Sequence, residues 1–226
     1  GNIENAILRL PKFGKHQEII FIEGNSSDDT WQKIQDIQQK YKDTHDIKIG
    51  QQSGKGKGDA VRKGYAMANG DILMILDADL TMPPEELPKF YNAIATGKGE
   101  FINGSRLVYP MEKEAMRFLN TLGNKFYSWV FSWLLEQPIK DSLCGTKVMF
   151  REDYLKLIEN RKFFGDFDPF GDFDLLFGAY KLNLKIIDLP IRYRERTYGD
   201  TNISRFTNGF MLLRMCWFAA GKIKFW

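Results

Sequence analysis

Asp77 and Asp79, with only Ala78 between them, are the residues whose type and spacing most directly suggest chemistry. Two carboxylates this close repel one another unless a proton or a cation lies between them. A hard divalent ion with oxygen ligands, Mg²⁺ or Mn²⁺, is the natural occupant. The bland alternative is a strand followed by an Asx turn, so the neighbours decide. Ahead of the pair, Ser53-Gly54-Lys55-Gly56-Lys57-Gly58 interleaves glycines with lysines just before a helical pattern. Such a loop at a helix N-terminus can cradle a diphosphate on its backbone N–H groups, although its spacing satisfies neither the P-loop nor the dinucleotide fingerprint. Glu23, Asn25, Asp28 and Asp29 make a further polar group. Glu23 or Asn25 could hold a base edge and Asp28 or Asp29 a ribose, or the segment could simply cap a helix. Asp166, Asp168, Asp172 and Asp174 lie among phenylalanines. Asp172 and Asp174 suit a general base where the reaction needs one, and otherwise complement a helix dipole.

These residues need a scaffold, and the hydrophobic pattern supplies it. The run Ile72–Leu76 reads as a strand buried on both faces of a parallel sheet, which puts the aspartates at the edge where open α/β sheets bind ligands. Residues 18–24, 46–52 and 100–106 read as further strands, the last ending on Arg106. Between them, Trp31, Ile34, Ile37 and Tyr41, and then Ala60, Val61, Gly64, Tyr65 and Ala68, recur at helical spacing. Pro84 suits the first turn of another helix, with Glu85 and Glu86 beside it. Alternating strands and helices predict βαβ units and a mostly parallel sheet. The chain opens instead on a helical pattern, Ile3 to Leu10, so a first strand is expected to be missing.

The second half changes character. Met116 to Leu135 is aromatic and apolar nearly all round, a helix that is either deeply buried or meets lipid. A short strand after Gly145, a helix over 152–159 and a last strand carrying Arg192, Arg194 and Arg196 follow. The tail mixes apolar residues with Arg214, Lys222 and Lys224, as an interfacial helix does. The expected division is a catalytic domain over 1–205 and an amphipathic tail over 206–226.

With 226 residues the chain can bury one full α/β core, and a net charge of +3 implies no strong polyanion partner such as nucleic acid. Cys144 and Cys216 provide neither a disulfide framework nor a metal quartet, which fits a reducing compartment. No signal-peptide pattern and no apolar run of roughly 18 residues is visible.

Taken together, the motifs resemble the inverting GT-A glycosyltransferases of family 2, the dolichyl-phosphate mannose synthase type. The likeness rests on EGNSSDDT, on GKGDAVRKGYAMANGDILMILDADL, on FINGSR, on DSLCGTKVMF and on RERTYGDTNISRF. It implies a Rossmann-like GT-A fold, a nucleotide-diphospho-sugar donor, a divalent metal and a polyprenyl phosphate acceptor at the cytoplasmic face of a membrane. By position, Asp77 and Ala78 would contact the nucleotide sugar, and Asp77 and Asp79 would hold the metal bridging the diphosphate. Glu23, Asn25 and Asp28 would surround base and ribose, with Lys57, Gly58 and Arg62 near phosphate. Arg106, Arg117, Arg196 and Ser204 would line the acceptor phosphate and donor diphosphate. Asp59 departs from the family's small residue and places a negative charge beside the supposed phosphates.

The resulting expectation is metal-dependent sugar transfer to polyprenyl phosphate with inversion. Dependence on Asp172 or Asp174 would mark a hydroxyl acceptor instead. A nucleotidyltransferase would need a triphosphate loop near the start, and a non-catalytic membrane-associated module would bind no nucleotide sugar.

Overall fold

The computed structural model describes residues 2–106, 118–159, 171–194 and 205–225. A short helix α1 (Asn2–Leu8) precedes strand β1 (Glu18–Glu23), helix α2 (Thr30–Tyr41) and strand β2 (Asp46–Gln51). Helix α3 (Gly56–Met67), strand β3 (Ile72–Met74), a 3₁₀ turn at Pro84–Glu86, helix α4 (Leu87–Ala95) and strand β4 (Phe101–Ser105) follow. Then come helix α5 (Phe118–Leu135), strand β5 (Lys147–Phe150), helices α6 (Arg151–Glu159) and α7 (Asp172–Lys181), strand β6 (Ile186–Pro190) and helix α8 (Arg205–Ile223).

β1 and β2 pair in parallel from Glu18↔Asp46 to Glu23↔Gln51, with α2 as the crossover that parallel neighbours require. The other strands form a second ladder in the order β3-β5-β4-β6. β4 and β6 are parallel, but β5 runs antiparallel between β3 and β4. The sheet is therefore more mixed than the repeating strand–helix pattern implied. An apolar run reports that a strand is buried, not which way its neighbour runs, and β5 returns between its partners only after the long α5. β3 is also shorter than its apolar run. Ile75 N still donates to Lys147 O at 3.0 Å, and the chain then leaves the sheet into a turn closed by Leu80 N to Asp77 O at 3.0 Å.

Alternation along β4 and β5 builds a layer on each face of this sheet. Ile102 and Val148 face a cluster with Leu87, Phe90 and Ile94 of α4 and its approach. Phe101 and Met149 face a larger cluster with Leu73, Ile186, Phe131 and Leu134 of α5, and Phe173 and Leu176 of α7. Phe131 lies 4.7 Å from Phe173 and 5.3 Å from Phe177, ring centre to ring centre, and so ties α5 to α7. α8 joins the same cluster through Leu212, Met215, Cys216 and Ala219. The tail helix is thus packed onto the domain along one side.

α5 divides its all-round apolar surface between a buried and an exposed face. Tyr127, Phe131, Leu134 and Leu135 are buried, while Leu122, Phe126, Trp129 and Trp133 form an exposed stripe at spacings of one helical turn. Trp129 is 70% exposed, and Leu213 and Trp217, at 85%, on α8 and Phe225 just beyond it are exposed as well. Among the described residues no helix is long and apolar enough to cross a membrane.

Candidate active site

The C-terminal ends of β1 and β2 carry two adjacent loops. Gln52 N donates to Glu23 O at 2.9 Å and its side chain reaches Gly24 O, which joins residues 24–29 to the glycine-rich loop. In the first loop the predicted nucleoside contacts mostly hold their own turn. Glu23 is buried, with Oε1 accepting from Ser26 N at 2.5 Å and Oε2 from Gln51 Nε2 at 3.1 Å. Burial pulls its pKa up, yet those donors leave it below the ordinary carboxylate value. Asn25 sits in the left-handed region at φ 60° and donates to Gln52 O. Asp28 is exposed and accepts from Thr30 N at 3.0 Å, which also lowers its pKa. Of these three, Glu23 is buried, while Asn25 and Asp28 are exposed at the loop surface.

The glycine-rich loop leads into α3 with no side-chain cap at its start, so the first-turn N–H groups are left for an anion. Asp59, the unexpected charge, accepts from Gly54 N at 2.7 Å and closes the loop on itself. Lys57, on that first turn, reaches across to Asp77, with Nζ 2.6 Å from Oδ1. Gly145 presses against this pair. A Cβ there would lie 2.0 Å from Asp77 Oδ2 and 2.2 Å from Lys57 Nζ, so only glycine fits. Burial would lower the Lys57 pKa, but Asp172 and Asp77 together raise it above the usual lysine value, so the ammonium stays charged.

α7 closes the site from the other side. Gly171, at φ 75°, brings its backbone so near α3 that a Cβ would meet Gly58 Cα at 2.6 Å. Asp172, 6% exposed, follows it, with Oδ1 3.4 Å from Nζ of the fully buried Lys147 and no hydrogen bond at that oxygen. Lys147 also donates to Cys144 O. Asp174 Oδ2 lies 3.5 Å from Arg62 Nη1, and Arg62 approaches Asp59 at 3.8 Å. Acids and bases therefore alternate where the start of α3, the turn after β3, the turn before β5 and the start of α7 converge.

Asp79 lies in the turn beyond Asp77, with Oδ1 accepting from Thr81 N at 3.1 Å and Thr81 Oγ1 at 2.9 Å. Ala78 between them is exposed. Two hard carboxylates at an open edge leave coordination positions for phosphate oxygens and water, the donor set Mg²⁺ and Mn²⁺ favour. Among the described residues the gathering of three ligand-type side chains is His16, Glu18 and Asp46, at the opposite end of β1 and β2. There Glu18 is already taken by Lys48 at 2.8 Å and by the N–H groups of Asn69 and Gly70.

Arg106 is placed differently from its expected role. Its Nε and Nη2 fork the carboxylate of fully buried Asp141 at 2.7 and 2.8 Å, and its backbone N donates to the same group. The side chain also lies 5.5 Å from the Tyr193 ring. Nε and Nη2 thus hold Arg106 against Asp141 at the end of β4. Arg117, Arg196 and Ser204, like Asp166 and Asp168, lie outside the described residues. Sequence reading gave no role to Lys147, Asp141 or Gly171. A lysine opening the apolar strand Lys147–Phe150 was the available signal, because a charge there must find a buried partner.

Residues 2–162 match the family model for glycosyl transferase family 2. The dolichol-phosphate mannosyltransferase of Pyrococcus furiosus is 29% identical over 212 residues, which cover 89% of this chain and 55% of that protein. A dolichyl-phosphate hexose transferase of Haloferax volcanii is 29% identical over 159 residues, 70% of this chain and 65% of that one. The chain thus spans little more than half the length of relatives it matches. Among solved structures, S. aureus TarS 1–349 in complex with UDP superposes with a TM-score of 0.57 at 15% identity, covering 99% of this chain and 62% of TarS. That likeness shows the fold, a GT-A-like α/β architecture.

Proposed function

The chain belongs to glycosyl transferase family 2, and we propose that it is a hexosyltransferase moving a sugar from a nucleotide-diphospho-sugar to a polyprenyl phosphate. The observation that carries the donor half is the meeting of Lys57 and Asp77 at the uncapped start of α3. First-turn N–H groups and Lys57 bind the diphosphate, and the helix dipole adds to them. A divalent cation held by Asp77 and Asp79 would supply positive charge against the leaving nucleotide diphosphate. Gly145 and Gly171 let the turn before β5 and the start of α7 pack directly against Lys57, Asp77 and the first turn of α3.

The acceptor half follows from the state of the carboxylates. Asp172 is matched by Lys147, and Asp174 by Arg62. Neither is placed as a free base, and a phosphate monoester needs none because its second pKa is about 6. Its oxygen attacks the anomeric carbon opposite the departing diphosphate. The new C–O bond forms as the old one breaks, and the configuration inverts. Relatives named for dolichyl phosphate substrates support the same choice.

The exposed aromatic stripe of α5 and Trp217 of α8, with exposed Lys125 and Lys222 on the same helices, support docking at the membrane interface, where a polyprenyl phosphate headgroup lies. Basic residues there favour the anionic cytoplasmic leaflet. The direct test is transfer of radiolabel from GDP-mannose, UDP-glucose or UDP-GlcNAc to a short-chain polyprenyl phosphate with Mg²⁺. Labelled lipid from one donor, lost in Asp77→Asn and retained above about a tenth in Asp172→Asn, supports the reading. Transfer only to a saccharide would overturn it.

A further inference from the structure

Lys57 sits where two ligands compete for it. It belongs to the first turn of α3, where an anion would bind, yet its ammonium lies 2.6 Å from Asp77 Oδ1, an oxygen assigned to the cation. Gly145 lies against both partners, so that a Cβ there would come within 2.2 Å of Lys57 Nζ and 2.0 Å of Asp77 Oδ2. Asp77 thus cannot keep Lys57 and take a divalent ion at the same oxygen. From this geometry we infer that Lys57 is an internal counter-ion, which holds Asp77 in the empty protein and moves to the donor's diphosphate when it binds. The inference rests on the donor site proposed above and adds the order in which it fills.

The consequences are thermodynamic. A divalent cation arriving alone must displace Lys57 and leave it beside Asp172 without its nearer partner. A diphosphate arriving alone must also break the ion pair. Each ligand removes the obstacle to the other, so the two bind cooperatively, and by linkage the coupling is the same in either direction. With Lys57 on Asp77, a free divalent ion meets one carboxylate oxygen fewer, and it is expected to bind more weakly alone than with the diphosphate.

Two probes test this separately on the full chain: Mn²⁺ alone, followed by the electron-spin signal of the free ion, and inorganic pyrophosphate alone in metal-free buffer, followed by calorimetry. Lys57→Met is expected to tighten Mn²⁺ roughly tenfold, within the usual range of coupling between sites. Lys55→Met removes an exposed charge two residues away and should change Mn²⁺ binding less than about twofold, since exposed charges are screened. Asp77→Asn should tighten pyrophosphate severalfold in the parent, because Lys57 is released, but not in Lys57→Met. Lys57→Arg and thermal melting of each variant check that the fold persists. Equal Mn²⁺ affinity in parent and Lys57→Met, with both affinities lost in Asp77→Asn, overturns the counter-ion role and leaves the donor site standing. An Asp77→Asn gain that persists in Lys57→Met likewise overturns it. Mn²⁺ binding indifferent to Asp77 removes the metal assignment itself, and the inference with it.

Discussion

Arg106 and Lys57 carry the same charge near the same edge of the sheets and differ in what they can still do. Arg106 is spent on Asp141, a carboxylate with no exposure, whereas Lys57 is about one-third exposed and shares Asp77 with the site. Removing one partner of a buried pair leaves an uncompensated charge and costs about 3–5 kcal/mol. Arg106→Gln is therefore expected to lower stability by roughly that amount in denaturant unfolding; unchanged stability with weakened diphosphate binding would return Arg106 to the ligand. Burial raises the Asp141 pKa, but Arg106 more than offsets it and holds the group below its ordinary value. A depressed folded-state pKa gives stability that is present above the unfolded value of about 3.9 and lost as pH falls through the folded one. Acid unfolding of the parent should steepen below about pH 4, and Asp141→Asn should flatten that limb. At Gly145 the argument is steric. Gly145→Ala puts a methyl group where the ends of Lys57 and Asp77 meet and forces the pair to open, so pyrophosphate in metal-free buffer should bind that variant at least as tightly as the parent in calorimetry. Binding weakened about tenfold, corresponding to about 1.4 kcal/mol, would show that the intact pair helps to hold the anion.

Elements were legible to different degrees, for physical reasons. Strands β1, β2 and β4 and helices α2, α3 and α7 fall where periodicity and flanking glycines put them, because their patterns are local. The antiparallel course of β5 was hidden, since strand direction is settled by a neighbour distant in sequence, here Met74 against Val148 and Asn103 against Lys147. Asp77 and Lys57 could each be suspected from their loops, but that they touch each other depends on tertiary packing against Gly145. Asp59 misled as a lone charge because its partner is the backbone N–H of Gly54. The α5 and α8 faces make their own prediction. Trp129→Glu combined with Trp217→Glu should cut binding to vesicles rich in phosphatidylserine severalfold, as measured by co-sedimentation, with little change in melting temperature because both side chains are exposed. Undiminished sedimentation would assign the stripe to another role.

At the scale of the whole molecule, two clusters hold a mixed sheet between layers of helices, and the loops at its edge collect the charged residues into one place. The packed side of α8 and the buried side of α5 belong to the layer of helices on the larger cluster, and the exposed apolar side of α5 faces away from it. At this edge a nucleotide diphosphate is expected to bind through Asp77 and a divalent ion. Thermal melting with UDP, GDP and dTDP, each with and without Mn²⁺, on the parent and on Asp77→Asn tests it most directly. A ligand at a hundredfold excess over its dissociation constant stabilises by about 2.7 kcal/mol, a rise of roughly 5–10 °C for a domain of this size. Such a rise is expected for one nucleotide, dependent on Mn²⁺ and abolished in Asp77→Asn. No rise with any nucleotide, or an equal rise in Asp77→Asn, would contradict it.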